Sequence, residues 1–351
     1  MVLRFQRLVL GALLLGWLSP RAVLAHEGEY SVIWDDFSQG FSADAPDSKW
    51  FYFRAGSFVG DDGIIAITPG GLNVWSSGWN SATGEPAFAN TVAPEPSSGL
   101  PGGLDHVKWL AYMNHTSAAG YPGFDAQWNH ELACRTTVAG QTYGTHLHPF
   151  GAAVSNHQED PRLASFAMNT IDFQSYMVFD FMFTNGRIYA IYERLPFGRD
   201  TMGNYAAFTY AIPVGTYSPW HRHTARIAYD KTAGVVKWVL NGAEVFRVSR
   251  IGHRLDRQWM IIDHGGTEQL VSMNQLNCGM GMFSLLDASW PSSPGLVRLS
   301  TQPNFYYQPQ VGTSQALWFT DEYSAQDSRL FGQGAEFEVG PYRVISRRLY
   351  Y

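Results

Sequence analysis

The chain has 351 residues and a formal net charge of -6, and aromatic and charged residues each make up 15% of it. A negative chain without a basic run lacks the electrostatic footprint that nucleic-acid binding requires, so no nucleic-acid partner is expected. Low charge and many aromatic rings allow a large core, with rings left over for a binding surface.

Residues 1–25 have the composition of a secretory signal peptide. Arg4 and Arg7 give a basic start, the run from Leu8 to Leu18 is apolar, and residues 23–25 form a small-residue cleavage site. No later segment approaches the roughly 20 apolar residues that a membrane helix needs. We therefore expect a secreted mature protein of residues 26–351 with no membrane partner.

The pattern of residues 26–351 is that of one all-β domain. Short alternating runs rich in Val, Ile, Phe, Tyr and Trp recur between clusters of Gly, Pro, Asn and Asp, which is typical of a two-sheet antiparallel sandwich. The Pro- and Gly-rich segment 81–104 predicts a long loop, and loops of that length are often functional lids. Trp75 and Trp109 flank this segment as candidate stacking surfaces for a ligand; the alternative is that they belong to the core.

Two features concern covalent modification. Asn114-His115-Thr116 is a glycosylation sequon, which predicts a glycoprotein if the host is eukaryotic. Cys134 and Cys278 are the only cysteines, and they either form one disulfide in an oxidising compartment or remain two buried thiols.

His146 and His148 form a His-x-His pair, as do His221 and His223. On a strand such a pair points one way, as two imidazole ligands of a metal would. No third ligand stands at a diagnostic spacing, so we predict neither a metal nor a cofactor. His146 and His148 are candidate ligand-binding residues, and the alternative is that they are ordinary surface or hydrogen-bonded histidines.

Two Asn-Gly dipeptides predict hairpins with fixed registers. Asn185-Gly186 separates residues 178–184 from residues 187–194, and Asn241-Gly242 separates residues 235–240 from residues 243–248. Both dipeptides favour the left-handed turn of a two-residue hairpin loop. Because side chains alternate along a strand, the first hairpin has one core face and one outward face. The core face carries Phe179, Phe181, Phe183, Ile188, Ala190 and Tyr192, and the outward face carries Val178, Asp180, Met182, Thr184, Arg187, Tyr189, Ile191 and Glu193.

The outward face is the predicted floor of a groove. Asp180 and Glu193 are diagonal neighbours with Cα atoms roughly 7–8 Å apart, a separation that suits the acid and base of glycoside cleavage. We assign Asp180, Glu193 and Tyr189 as catalytic candidates and Arg187 as a ligand-binding residue. The alternative is that Asp180 only forms an ion pair, with Arg187 or Arg194.

Asp263 and His264 open an acidic, glycine-containing loop at residues 263–268. An acid next to an imidazole can form an acid/base cluster at a pocket mouth, and we count both residues as candidate ligand-binding residues. A turn stabilised by a hydrogen-bonded aspartate explains the same residues.

Residues 220–246, from Trp220-His221 through Asn241-Gly242 to Val245-Phe246, resemble the late strands of concanavalin A-like domains, above all those of laminarinase-type glycoside hydrolases. This resemblance implies a jelly roll. Those hydrolases carry Glu-x-Asp-x-Glu on one strand, whereas Glu336-Phe337-Glu338 has only two of the three acids, so their mechanism is not carried over. Most of the mature chain, from Trp34 to Phe283, also looks like an uncharacterised family of bacteria and fungi.

Three hypotheses for function follow. The first is a secreted carbohydrate-active protein that binds or cleaves a glycan in a groove on the concave sheet. The second is a cyclase or isomerase of secondary-metabolite type, acting on an apolar small molecule in a pocket lined by aromatic rings and Met. The third is a non-catalytic secreted interaction protein. An open groove would favour the glycan and an enclosed apolar cavity the small molecule, while the sequence leaves the oligomeric state open.

Overall fold

A computed structural model gives the architecture of the chain. It describes residues 28–55, 58–89, 107–148, 151–284 and 330–350, and three short strands between residues 288 and 320. The predicted signal peptide and cleavage site lie outside the described residues. Within the described part, no helix is both long and apolar enough to cross a membrane.

The elements are almost all strands, as the sequence predicts. They are β1 (Tyr30–Asp35), β2 (Trp50–Tyr52), β3 (Arg54–Ala55), β4 (Phe58–Val59), β5 (Ile64–Thr68), β6 (Gly71–Trp75), β7 (Gly78–Trp79), β8 (Pro86–Ala87), β9 (Val107–Met113), β10 (Phe124–Asp125), β11 (His130–Tyr143), β12 (Ser165–Asp172), β13 (Met177–Phe183), β14 (Arg187–Arg194), β15 (Phe208–Thr216), β16 (His223–Asp230), β17 (Val235–Leu240), β18 (Ala243–Val248), β19 (Met260–Asp263), β20 (Gln275–Phe283), β21 (Ala288–Ser289), β22 (Leu296–Arg298), β23 (Trp318–Thr320), β24 (Gly334–Val339) and β25 (Tyr342–Arg348). Among the described residues, the helical pieces are the helix α1 (Arg199–Met202) and 3-10 turns at Gly151–Ala153, Pro196–Gly198 and Arg257–Trp259.

In the described part of the chain, two antiparallel nine-stranded sheets form the sandwich, which confirms the predicted jelly roll. Sheet I has the order β18-β17-β16-β11-β24-β6-β5, and β25 joins β11 to β1. Sheet II has the order β19-β15-β14-β13-β12-β20-β9-β2, with β10 paired to β20. The long strand β11 pairs with β25 along its first half and with β24 along its second.

The core lies between the sheets and is crosslinked. Phe179, Phe181 and Phe183 project from β13 into it, as the hairpin register predicts, and the ring of Trp238 from sheet I packs against Phe179. Cys134 of β11 and Cys278 of β20 form a disulfide with Cα atoms 5.8 Å apart. Of the two states that the sequence allows, the structure therefore has the disulfide, which joins one sheet to the other.

Both predicted hairpins are present, but one turn differs from the prediction. Asn241 and Gly242 have φ values of 51° and 87°, the left-handed turn expected. Neither Asn185 nor Gly186 is left-handed. The Asn185 side chain instead exchanges two hydrogen bonds with the backbone of Thr142, and the Gly186 N–H donates to the Gln158 carbonyl. Tertiary contacts therefore set this turn.

The predicted loop 81–104 begins with ordered structure. β8 pairs with β7, Trp79 lying opposite Pro86, and the Asn80 side chain accepts backbone N–H bonds in the turn between them. Residues 90–104 lie outside the described residues. The predicted lid role stays a prediction.

Candidate functional site

A pocket lies on the outer face of sheet II, on the predicted outward face of the first hairpin. Met182 and Asp180 of β13 line it with Glu193 of β14, and residues of β9, β12, β15 and β19 complete its floor. The register places Val178 opposite Glu193 and Asp180 opposite Ile191, as predicted. We call it the apolar pocket; its empty volume, counted out to the open mouth, is about 850 Å³.

Apolar side chains make up most of the lining. A second hydrophobic cluster, separate from the main core, covers this face of sheet II. Segments distant in sequence contribute to the lining. Its apolar members are Phe53, Val107, Leu110, Tyr112, Pro161, Ile171, Val178, Met182, Ile191, Leu195, Phe197, Ile261, Ile262 and Phe283. The outer face of sheet II is thus far more apolar than the hairpin alone indicates.

Asp180 is the buried acid of this pocket. Its residue is 5% exposed; one carboxylate oxygen accepts the Thr170 N–H at 2.8 Å and the other accepts the Asn169 side-chain amide at 2.9 Å. Burial raises the pKa of Asp180 well above its usual range; the Thr170 N–H opposes the rise, the charge of Glu193 adds to it, and the Asn169 amide opposes it. The alternative of an ion pair with Arg187 or Arg194 is wrong, because Arg187 pairs with Glu159 and the Arg194 guanidinium lies over the Tyr205 ring.

Other polar groups lie in the pocket with Asp180. Glu193 is half-buried, and its carboxylate accepts a hydrogen bond from the Thr209 hydroxyl of β15. The Asn169 side-chain oxygen is buried and has no hydrogen-bond partner in the described structure. The register makes Asp180 and Glu193 diagonal neighbours, as predicted. The pocket therefore combines a carboxyl pair, one orphaned amide acceptor and an apolar wall.

Arg187 and Tyr189 lie in a second depression on the same face. This polar hollow holds Arg187, Tyr189, Glu159 and Trp259 and has an empty volume of about 880 Å³. The Arg187 guanidinium pairs with Glu159 at 2.9 Å, and the Tyr189 hydroxyl donates to the Glu159 carbonyl at 2.5 Å. Burial raises the pKa of Tyr189. The two depressions share Pro161 and Ile261, so they adjoin.

The structure separates the two predicted tryptophans from the pocket. Trp109 is fully buried in the core between Tyr52 and Phe337, which leaves no exposed face for a ligand to stack on. Trp75 lies on β6 of sheet I, opposite Glu336. Because sheet I is the other layer of the sandwich, Trp75 does not reach the apolar pocket.

The other predicted residues also lie outside both depressions. His146 is exposed and His148 half-buried in the loop after β11, where burial lowers the pKa of His148. Among the residues described, no group of three or more His, Cys, Asp or Glu could hold a metal. Asp263 pairs with Arg254 at 3.2 Å and accepts a hydrogen bond from the Gly265 N–H. The loop that Asp263 shares with His264 therefore contains a turn stabilised by a hydrogen-bonded aspartate.

Sequence reasoning missed Asn169, Thr209 and the apolar wall. Asn169 lies on β12, one strand from Asp180, and Thr209 lies on β15, one strand from Glu193. The sequence signal for both is a polar residue next to an apolar run: Asn169 follows Phe166-Ala167-Met168, and Thr209 follows Ala206-Ala207-Phe208. Pairing of strands across the sheet was needed to connect them with the hairpin.

A family model described as "Family of unknown function (DUF6081)" matches residues 34–348. The chain belongs to this family. DUF6081 also fits the sequence-level likeness to an uncharacterised family. A similar protein, uncharacterized protein L829 of Acanthamoeba polyphaga mimivirus, is 29% identical over 401 residues, covering 89% of this chain and 87% of that protein.

Solved structures similar to this DUF6081 chain include two enzymes. Alginate lyase A1-II', a member of polysaccharide lyase family 7, is 10% identical with a TM-score of 0.39, covering 81% of this chain and 84% of that one. The apo Crh5 transglycosylase is 12% identical with a TM-score of 0.38, covering 91% of this chain and 84% of that one. At these identities, neither enzyme's substrate is assigned to this chain.

Proposed function

We propose that this protein binds an apolar small molecule in the apolar pocket and moves a proton on it, as a cyclase or isomerase does. The observation that carries the proposal is Asp180, a buried carboxyl among apolar side chains with Glu193 beside it. Two carboxyl groups held in different environments of one pocket can divide the roles of acid and base.

The environments suggest which group takes which role. Because its pKa is raised, Asp180 keeps its proton to higher pH than an ordinary aspartate, and its hydroxyl can donate a hydrogen bond to a ligand oxygen. Glu193 is nearer the solvent and serves as the base that takes a proton from carbon. Negative charge then develops on the oxygen that Asp180 faces, and Glu193 returns the proton to a different carbon. An apolar wall strengthens both interactions relative to water.

Ligand binding is tested with the neutral dye N-phenyl-1-naphthylamine, which fluoresces in apolar surroundings. Met182→Trp fills the pocket floor, and we expect it to weaken dye binding at least tenfold. The matched control is Val32→Trp, at an exposed position on β1 of sheet I, and it should bind the dye as the wild type does. Equal dye binding by all three proteins would place the apolar ligand elsewhere.

Proton transfer is tested with the apolar ketone 2-tetralone, by NMR of hydrogen exchange at its α carbons in D₂O. We expect the wild type to accelerate exchange and Glu193→Gln to remove roughly 10²–10⁴-fold of that acceleration. Glu244→Gln, on sheet I and paired with Arg247, is the control and should exchange like the wild type. A wild type no faster than buffer, or an undiminished Glu193→Gln, would refute the acid/base assignment.

A glycan ligand is the second candidate, and the polar hollow favours it. Its side chains include Arg187, Tyr189 and Glu159, which can form hydrogen bonds, and the ring of Trp259. The test is a glycan array probed with wild type, Tyr189→Phe and Glu193→Gln. A glycan retained by the wild type and lost by Tyr189→Phe supports this site. Retention of no glycan, or equal retention by all three proteins, counts against it.

Secretion is also a proposal. Its support is the signal-like composition of residues 1–25 and the disulfide of Cys134 with Cys278, which suits an oxidising compartment. Expression of the full chain in its own host, with N-terminal sequencing of protein from the medium, tests it. A new N-terminus at His26 supports cleavage there, and retention of Met1 inside the cell refutes it.

A further inference from the structure

A row of arginines crosses the outer face of sheet I, on the other side of the molecule from the apolar pocket. Arg343 of β25 lies directly opposite Arg135 of β11, and Arg135 lies directly opposite Arg226 of β16. Directly opposed residues on one face have Cβ atoms about 4.5–5.5 Å apart, and like charges so placed destabilise a sheet. The fold therefore tolerates an unfavourable line of three guanidinium groups.

Neutralisation of these cations is incomplete. Glu131 is 2% exposed, and it accepts hydrogen bonds from Arg226 and, at 3.1 Å, from Arg347. The Lys237 ammonium lies 3.6 Å from its other oxygen. Glu131 thus faces three cations, and the second acid of this cluster, Asp230, lies directly opposite it on β16. In the described part of the chain, the other two arginines of the row form no ion pair with any residue.

A hollow opens on the outer face of sheet I beside the row of arginines. Its empty volume is about 780 Å³, and we call it the arginine hollow. It is lined by Arg135, Thr224, Arg226, Val239, Gly242, Ile345 and Arg347. Three guanidinium groups therefore face one cavity, where each can bind a carboxylate or sulfate through two parallel hydrogen bonds.

We propose that the arginine hollow and its row bind an acidic polysaccharide, one that carries carboxylate or sulfate groups on successive sugars. The whole chain has a net charge of -6, yet cations are concentrated on this face. This local positive charge is complementary to a polyanion. A linear polyanion places charges in a row, as the three strands do. The lining contains no aromatic ring on which a nucleobase could stack.

The test uses the mature full-length protein and dextran sulfate, with uncharged dextran as the reference, measured by calorimetry at several salt concentrations. Arg135→Gln combined with Arg343→Gln removes two cations that have no ion pair in the described structure. We expect this variant to bind about tenfold or more weakly at low salt, and its log–log salt slope to fall by about two, one for each lost contact.

The matched control is Arg54→Gln combined with Arg250→Gln, which changes the net charge equally at exposed positions away from the hollow. Near-UV circular dichroism compares the folds of all three proteins. Normal binding by the control and weak binding by the row variant support the proposal. The proposal is overturned if the wild type does not bind dextran sulfate at low salt, or if both double variants lose equal affinity. It is also overturned if the wild type binds phosphatidylserine vesicles but neither dextran sulfate nor polygalacturonate.

Discussion

Replacing Asp180 with Asn should change how stability depends on pH. An acid whose pKa is raised in the folded state holds its proton there after the unfolded chain has released it. Stability is therefore full below the unfolded pKa, near 4, and falls as the pH rises towards the folded pKa. The fall for one such group is about 1.4 kcal/mol per pH unit. The side chain introduced by Asp180→Asn cannot ionise. The unfolding free energy of the variant should therefore rise, relative to that of the wild type, by this amount per pH unit between the unfolded and the folded pKa of Asp180.

The hydrogen bonds of Asp180 make the substitution mild at low pH. The introduced amide oxygen can accept a hydrogen bond from the Thr170 N–H. If the Asn169 side-chain amide flips by 180°, its oxygen, which has no partner in the described structure, can accept a hydrogen bond from the introduced amide nitrogen. The titratable groups that interact with Asp180 are Glu193 and the phenols of Tyr112 and Tyr342, and the substitution leaves them in place. Burial raises the pKa of both phenols well above the usual range, so they stay neutral across the window. Low-pH stability should therefore change little.

Urea denaturation between pH 4 and pH 8 measures the difference in unfolding free energy between variant and wild type. Asp36→Asn is the control, because hydrogen bonds from Ser38 lower the pKa of Asp36, an exposed group. Its folded pKa lies below the unfolded value near 4, so its contribution changes only below that pH, and its difference from wild type should stay constant between pH 4 and pH 8. A pH-independent difference for Asp180→Asn would show that Asp180 titrates normally and would remove the basis for its role as an acid.

Two further predictions concern the fold. Cys134→Ala combined with Cys278→Ala opens a crosslink that spans 144 residues, and urea denaturation should show a loss of about 3–5 kcal/mol from chain entropy; an unchanged midpoint would show that the crosslink adds no stability. Gly186→Ala places a Cβ 2.6 Å from the Glu159 side chain and 3.2 Å from the Gln158 carbonyl, so a loss of about 1–3 kcal/mol is expected in the same assay. Unchanged stability would mean that the turn accommodates the added methyl group without loss of unfolding free energy.

The sequence predicts the hairpin and its register because a two-residue loop and strict alternation are local properties. It therefore places Asp180 and Glu193 on one face, and the phenylalanines of β13 on the other. It does not predict the apolar wall, because Leu110 and Phe283 belong to strands far away in sequence. The outward residues of this hairpin alone predict an open polar groove, because the apolar residues of the same face come from other strands.

The sequence does not determine the partners of the charged groups. A cation on the same hairpin is the nearest candidate partner for Asp180 in sequence, yet the strand on its other side supplies Asn169. The turn at Asn185-Gly186 shows the same effect, since long-range contacts with Thr142 and Gln158 override the local preference for a left-handed turn. Neighbouring strands decide such contacts, and the sequence does not state which strands are neighbours.

The pairing of β1 with β25, the first and last strands among the described residues, has a consequence for folding kinetics. Tyr30 lies opposite Ser346, so this contact joins residues more than 300 positions apart. β25 also completes the first half of β11. Contacts between distant residues form slowly, because the entropy of closing the loop is lost before the contact stabilises anything. Sheet I is therefore expected to finish folding only after β25 has been synthesised, and β1 has no β25 partner until then.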